Sequence, residues 1–313
     1  MPSSAVRAFT DPDDYAASIR NSTVEMTITG RDQFAARLIR INLHRLWMQR
    51  FSDNVPRIAH ATVGRPTISF RTKAGPSLLW GGAEMRQTNL LRHAKAESAF
   101  QRSSGPADWA AMSLPVEDIV AVGEAMAGTD LAPPRDTMSI APSPPAMARL
   151  QRLHAAAGSL AEDAPEIIDH PEAARGLEQA LIEAMVDCLV DREDRANSLA
   201  QRHHAMVMRR FRRVVEENPD QPLFIPEICE AIRVPGRTLR LCCQEHLGMG
   251  PKHYLLLRRL HMARRALREA TPDAMTVTDI ATRYGFWELG RFAVEYRSLF
   301  GELPSVTLSR QSE

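Results

Sequence analysis

The strongest constraint on this chain is an internal repeat near its C-terminus. The segment PEICEAIRVPGRTLRLCCQEHLGMGP at 226–251 can be laid on TDIATRYGFWELGRFAVEYRSLFGELP at 278–304, with one extra residue in the second turn. Ile228 then meets Ile280, Cys229 meets Ala281, Leu239 meets Phe292 and Cys243 meets Tyr296. Leu247 likewise meets Phe300, Gly248 meets Gly301 and Pro251 meets Pro304. Each copy reads as a helix, a short turn, and a second helix stopped by Gly and then Pro. Thr276 with Asp279 forms a capping-box pattern in the later copy, and Pro226 suits the first turn of the earlier one. The small residues Cys229 and Ala281 let the second helix cross closely over the first, which is a helix-turn-helix layout used twice.

At about 100° per residue, the second helix of the later copy turns Leu289, Phe292, Ala293, Tyr296, Leu299 and Phe300 toward a core. Trp287, Arg291, Val294 and Ser298 face the other way, flanked by Glu288 and Arg297. The earlier copy turns Leu239, Cys242, Cys243 and His246 inward and Arg237, Arg240, Leu241 and Gln244 outward. A forked arginine near the N-terminus of each outer face suits guanine edges in a major groove. The candidate DNA contacts are therefore Arg237, Arg240, Gln244 and Arg291, with Gly290 leaving room for close approach. Arg297 is assigned to phosphate, since phosphate and sugar take the larger share of protein–DNA hydrogen bonds. Trp287 either packs at the turn or touches the DNA backbone. Between the copies, 251–270 reads as an amphipathic helix with Tyr254, Leu257, Leu260, His261, Ala263 and Leu267 on its apolar side. At 1.5 Å per residue it spans roughly 28 Å, which suits two reading helices in successive major grooves about 34 Å apart.

The pattern of Ile280, Ala281, Gly285, Phe286, Phe292, Tyr296, Arg297, Phe300, Gly301 and Pro304 resembles the AraC/XylS family of bacterial transcription regulators over about 215–305. That resemblance implies paired helix-turn-helix units that bind an operator in double-stranded DNA, and activation through RNA polymerase. The chain departs from the family at Gly290, where Ser is common, and at Leu241, where Arg or Lys is frequent. The wording FWELGRF at 286–292 is similar to regulators of ethanolamine and amine catabolism, which implies an amine or another catabolite as effector.

The first 200 residues are similar to the cupin-like effector domains that precede such modules. Alternating runs at 33–51, 65–72 and 108–115, separated by Gly, Pro, Asn and Asp, point to an antiparallel sheet or barrel extending to about 130. The stretch 116–128 is helical in pattern, and 131–145 interrupts it with Pro and Ser. Helices are expected near 145–161 and 171–199. The second carries a stripe of Leu177, Leu181, Ala184, Met185, Cys188 and Leu189, and on that pattern the helices near 145–199 are the candidate surface for a homodimer and for relaying a signal. The expected fold is thus α+β in two domains. The first, 1–200, is an antiparallel cupin-like β barrel with helices. The second, 205–313, is an all-α tandem helix-turn-helix, with units at 222–248 and 276–301 joined by the helix 251–270. Arg37, Trp47, Phe70, Trp80 and Trp109 are the candidate lining of a small-molecule pocket, the alternative being ordinary barrel core.

Charge is distributed unevenly along the chain. Residues 1–201 hold 21 Lys and Arg against 25 Asp and Glu, a net of −4, whereas 202–313 hold 18 against 13, a net of +5. All the basic residues of the second part except Lys252 are arginines, a composition that suits a polyanion. Cys188, Cys229, Cys242 and Cys243 show no metal-site spacing and read as reduced, buried apolar residues. There is no His-x-His cluster of the kind metal-binding cupins use, and no G-x-S-x-G, P-loop or G-x-G-x-x-G motif. No cofactor, metal or catalytic residue is expected, and an enzyme built from a cupin-like domain fused to a DNA-binding module is the weakest reading. A DNA-binding regulator whose first domain is a ligand-free protein-interaction module is the nearer alternative. With no run of about 18 uncharged apolar residues and no secretion pattern, a cytoplasmic protein without a membrane span is expected.

Overall fold

The alternating runs of the first half become strands because period-two patterning gives each strand one apolar face to bury. In this computed structural model, which describes residues 1–94, 96–190, 192–193, 199–219, 221–271, 275–286 and 288–309, the chain divides into two units. One comprises Met1–Met26, Phe34–Val55 and His60–Asn197, and the other Thr27–Gln33, Pro56–Ala59 and Ser198–Glu313. An eight-stranded antiparallel sheet runs in the order Ser3–Phe9, Ala36–Asn42, Trp47–Asp53, Ala107–Ser113, Thr67–Arg71, Leu90–Arg92, Met138–Pro142, Arg192–Glu193. A five-stranded sheet follows the order Ser22–Ile28, Arg57–Val63, Ser98–Ser103, Leu78–Trp80, Ala83–Glu84.

One face of the larger sheet is covered by the helices Pro144–Asp163 and Pro171–Val190. Ile39, Ile41, Met48, Phe70 and Met112 from the strands share a core there with Leu150, Leu181 and Met185 from the helices. Its other face shares a cluster with the smaller sheet, in which Leu91 and Ala107 meet Ala61, Val63, Leu78 and Trp80. The buried carboxylate of Glu178 accepts hydrogen bonds from the backbone N–H groups of Arg45 and Leu46, pinning the turn between two strands.

Two sequence expectations need correcting here. The Pro- and Ser-rich stretch 131–145 is more than an interruption, because Met138–Pro142 pairs antiparallel with Leu90–Arg92. Its neighbours in space, not its own composition, make it a strand. The stripe from Leu177 to Leu189 is also no free docking face. Leu181, Ala184, Met185, Cys188 and Leu189 are buried in the unit's own core, with Leu177 packed against it. An apolar stripe marks a surface that must be covered, and here the covering comes from the same chain.

The second unit contains the helices Leu199–Glu216, Ile225–Ile232, Gly236–Leu247, Pro251–Glu269, Val277–Arg283, Leu289–Phe300 and Pro304–Ser309. The helix Pro251–Glu269 buries Tyr254, Leu257, Leu260, His261, Ala263 and Leu267, as its periodicity demands. It also buries Arg258, which sequence patterning did not single out. The Arg258 guanidinium donates to the carbonyls of Asn218 at 2.8 Å and Pro219 at 2.9 Å, just beyond the end of Leu199–Glu216. A cation thus stabilises the exit of that helix, where carbonyls lack intrahelical donors. Among the described residues, no helix is long and apolar enough to cross a membrane.

Candidate nucleic-acid interface

The repeat persists at the level of single backbone bonds. In the turn of the first copy, Val234 N–H donates to the Cys229 carbonyl at 3.1 Å; in the second, Phe286 N–H donates to the Ala281 carbonyl at 3.0 Å. The residue that swings into the left-handed region is Arg233 (φ 55°) in one copy and Gly285 (φ 75°) in the other. Both second helices end on a left-handed glycine, Gly248 with φ 71° and Gly301 with φ 76°. Gly248 N–H returns to the Gln244 carbonyl, and Gly301 N–H to the Arg297 carbonyl. Close crossing of the two helices is real in the first copy, where a Cβ on Gly236 would lie 3.7 Å from Cys229 Sγ. Cys229 is half-buried, while Cys188, Cys242 and Cys243 are buried. The Thr276 and Asp279 side chains exchange backbone hydrogen bonds at 3.1 and 2.9 Å, completing the capping box that opens Val277–Arg283.

The aromatic residues of the later copy form its support. Phe292 and Tyr296 are buried with Ile280, Ala281, Tyr284 and Phe286, and Phe300 packs against that cluster. Tyr296 Oη lies 2.8 Å from Thr307 Oγ1, on the last short helix. Leu289 departs from the helical-wheel expectation: it is exposed, because at the first position of the helix the core does not yet reach it.

Arg237, Arg240, Leu241 and Gln244 are all exposed on Gly236–Leu247, opposite buried Leu239, Cys242, Cys243 and His246. Among the described residues neither Arg237 nor Arg240 makes a hydrogen bond or an ion pair, so both forks are available. Gln244 is partly engaged, since its Nε2 donates to the Gly248 carbonyl at 3.1 Å. On Leu289–Phe300, Arg291, Val294, Arg297 and Ser298 are exposed, and a Cβ on Gly290 would meet nothing within 4 Å. Arg291 differs from its counterparts in the first copy because acidic neighbours hold it. Its Nε lies 2.9 Å from Glu295 and its Nη1 3.5 Å from Glu288, and these carboxylates, Glu295 foremost, push its pKa above the ordinary arginine value. Trp287 lies outside the described residues.

One further residue joins the two copies. The Arg259 guanidinium sits 5.7 Å from the Phe224 ring centre in the first copy and 5.0 Å from that of Phe286 in the second. Its Nη1 also donates to the Gly285 carbonyl at 3.3 Å. Only its place on an arginine-rich helix hinted at such a role.

A family profile described as a helix-turn-helix domain matches residues 228–310. The "XylDLEGF operon transcriptional activator 2" of Pseudomonas putida is 40% identical over 102 residues, which cover 32% of this chain and 65% of the relative. The "XylDLEGF operon transcriptional activator" of the same species is 41% identical over 101 residues, covering 31% of this chain and 32% of the relative. A solved "probable AraC family transcriptional regulator" from Rhodopseudomonas palustris CGA009 is 34% identical, covering 33% of this chain and 95% of that one, with a TM-score of 0.30. The chain belongs to the AraC/XylS family. The match to the two curated relatives spans less than two thirds of their length.

In the sheet-bearing half of this AraC/XylS member, the five candidate lining residues do not converge on one pocket. Strand alternation places Arg37 and Phe70 on the helix-covered face of the larger sheet. Arg37 is exposed and pairs with Glu162 at 3.0 Å, and Phe70 is fully buried, edge-on to His154 at 5.2 Å. Trp109 and Trp47 lie on the opposite face by the same alternation, where Trp109 stacks on Phe51 at 3.8 Å. Trp109 packs against the inter-sheet cluster that contains Trp80. His93, absent from the candidate set, meets Trp80 edge-on at 4.5 Å and lies 2.7 Å from Ser69 Oγ. Burial pushes its pKa down to about 3, so it is neutral.

Proposed function

We propose that this protein is a sequence-specific DNA-binding transcriptional regulator that activates a catabolic or transport operon. The observation carrying this reading is the recurrence of one helix-turn-helix geometry, bond for bond, with arginines exposed at the start of both outer faces. The linking helix Pro251–Glu269, of 19 residues, spans about 28 Å, a length that supports two heads reading successive major grooves. Arg237, Arg240 and Arg291 are the proposed base readers, with Gln244 beside them once it leaves Gly248, and Arg297 holds phosphate. RNA polymerase and a second copy of the chain are the protein partners this reading expects.

A small-molecule effector is supported by unpartnered polar atoms among the side chains between the sheets. Trp80 Nε1, Trp109 Nε1 and His93 Nδ1 are buried without a hydrogen-bond partner among the described residues. An unsatisfied buried donor costs about 1–3 kcal/mol, which a bound acceptor would recover. Two indole N–H groups call for an oxygen acceptor, so a catabolite carrying a carboxylate, carbonyl or hydroxyl suits them better than a bare ammonium ion.

Enrichment of randomised duplexes on the full-length protein tests the DNA reading. Arg237→Ala is expected to cost about 1–3 kcal/mol at particular base pairs and to relax specificity there. Equal weakening on every sequence would reassign Arg237 to phosphate. For the effector, a metabolite panel should contain at least one compound that raises the melting temperature; stabilisation by none would favour a first domain that only contacts protein.

A further inference from the structure

Two large aliphatic side chains stand in solvent where helices of this kind ordinarily present polar groups. Leu241 is 56% exposed and Val294 is 69% exposed. In the repeat alignment they occupy the same position, each two residues after a fully buried anchor, Leu239 in the first copy and Phe292 in the second. A single exposed leucine on a protein surface needs no explanation. The same exposed position filled by an aliphatic residue in both copies is a different matter, because the two helices share little else on their outer faces.

The setting of each side chain is that of a reading element. Leu241 has Arg237 one turn before it and Gln244 one turn after; Val294 has Arg291 before it and Arg297 with Ser298 after. Neither aliphatic side chain carries a donor or acceptor, so neither can read a base by hydrogen bonding. The major groove offers one apolar recognition group, the C5 methyl of thymine. Building on the DNA-reading function proposed above, we propose that Leu241 and Val294 are paired specificity residues. Each closes on a thymine methyl in its own half of the operator, while the neighbouring arginines take guanine or phosphate. The operator would then carry a T·A pair at corresponding places in two half-sites.

The experiment starts from the duplex enriched out of a random pool by the full-length protein. That duplex is resynthesised with deoxyuridine replacing thymine one position at a time, which removes only the methyl group. Binding should weaken about three- to fivefold at one position in each half, the effect of withdrawing one methyl-sized group from an apolar contact. Leu241→Ala should abolish that discrimination in one half and Val294→Ala in the other; both side chains are exposed, so neither change opens a core cavity. Uniform affinity across every deoxyuridine duplex, or discrimination that survives both substitutions, would overturn the inference and leave DNA reading intact. A pool from which no sequence is enriched would overturn the DNA-reading function itself and this inference with it.

Discussion

Arg233 and Gly285 occupy the same turn position in the two copies, and the left-handed backbone suits only the glycine. A side chain in that region costs on the order of 1 kcal/mol, so Arg233→Gly is expected to stabilise the unit by up to that amount, read by urea unfolding. Gly285→Ala should destabilise by about 1–2 kcal/mol. There the strain comes from the backbone (φ 75°), since the added Cβ would meet Arg259, Phe224 and Pro222 at ordinary contact distances of 3.4–3.5 Å. Unchanged stability in both variants would mean that the turn relaxes. The arginines show a second contrast. Arg237 and Arg240 are open, but Arg291 is shared between Glu295 and Glu288 and would have to leave them to take the base-reading role proposed for it. Glu288→Gln should tighten DNA binding about two- to fivefold at low salt, with the gain shrinking as salt screens it. The glutamates were visible in the sequence; that they hold the arginine was not, because rotamers of exposed side chains are not a matter of periodicity.

Among the elements, the helix Pro251–Glu269 has the most connections. Its apolar side was legible from spacing, since Tyr254, Leu257, Leu260, His261, Ala263 and Leu267 recur at helical period and all are buried. Its cationic contacts were not legible, because an arginine on the flank of an amphipathic helix looks solvated until its neighbours are placed. Arg259 binds one aromatic ring from each helix-turn-helix copy, so it couples their orientation. Arg259→Met keeps the stem and loses the cation–π pair and the bond to Gly285. A loss of about 1–2 kcal/mol in stability is expected, since partly desolvated cation–π contacts reach that size. Binding to a duplex with both half-sites should also fall more than binding to one half-site. Equal loss on both duplexes would show that the copies are oriented by the apolar core alone.

For the whole molecule, burial should make the first unit strongly acid-sensitive, and His246 of the second unit is lowered in the same direction by its burial. His93 and His154 of the first unit are fully buried, and burial lowers both pKa values from the ordinary 6.5 to about 3. Between those values the unfolded chain takes up protons that the folded unit refuses. The stabilisation is complete above pH 6.5 and is lost as pH falls toward 3. Calorimetric melts should show a loss approaching about 1.4 kcal/mol per pH unit for each histidine below its unfolded pKa. Replacing His93 with Gln and His154 with Phe should flatten that slope. Melting that ignores pH between 7.5 and 5 would mean that both rings protonate in place.

What the sequence determined by itself is the tandem helix-turn-helix: repeat, caps, glycine stops and inward faces all lie within short windows, where helical period and backbone conformation are local properties. It also determined that the first half would be antiparallel sheet, for the same reason. Only the tertiary structure decided what covers each apolar face. It put Phe70 and Trp109 on opposite sides of one sheet, turned the stripe ending at Leu189 into the protein's own core, and brought His93 to Trp80. Periodicity announces that a face must be buried; the partner that buries it is set by contacts distant in sequence, which no local pattern encodes.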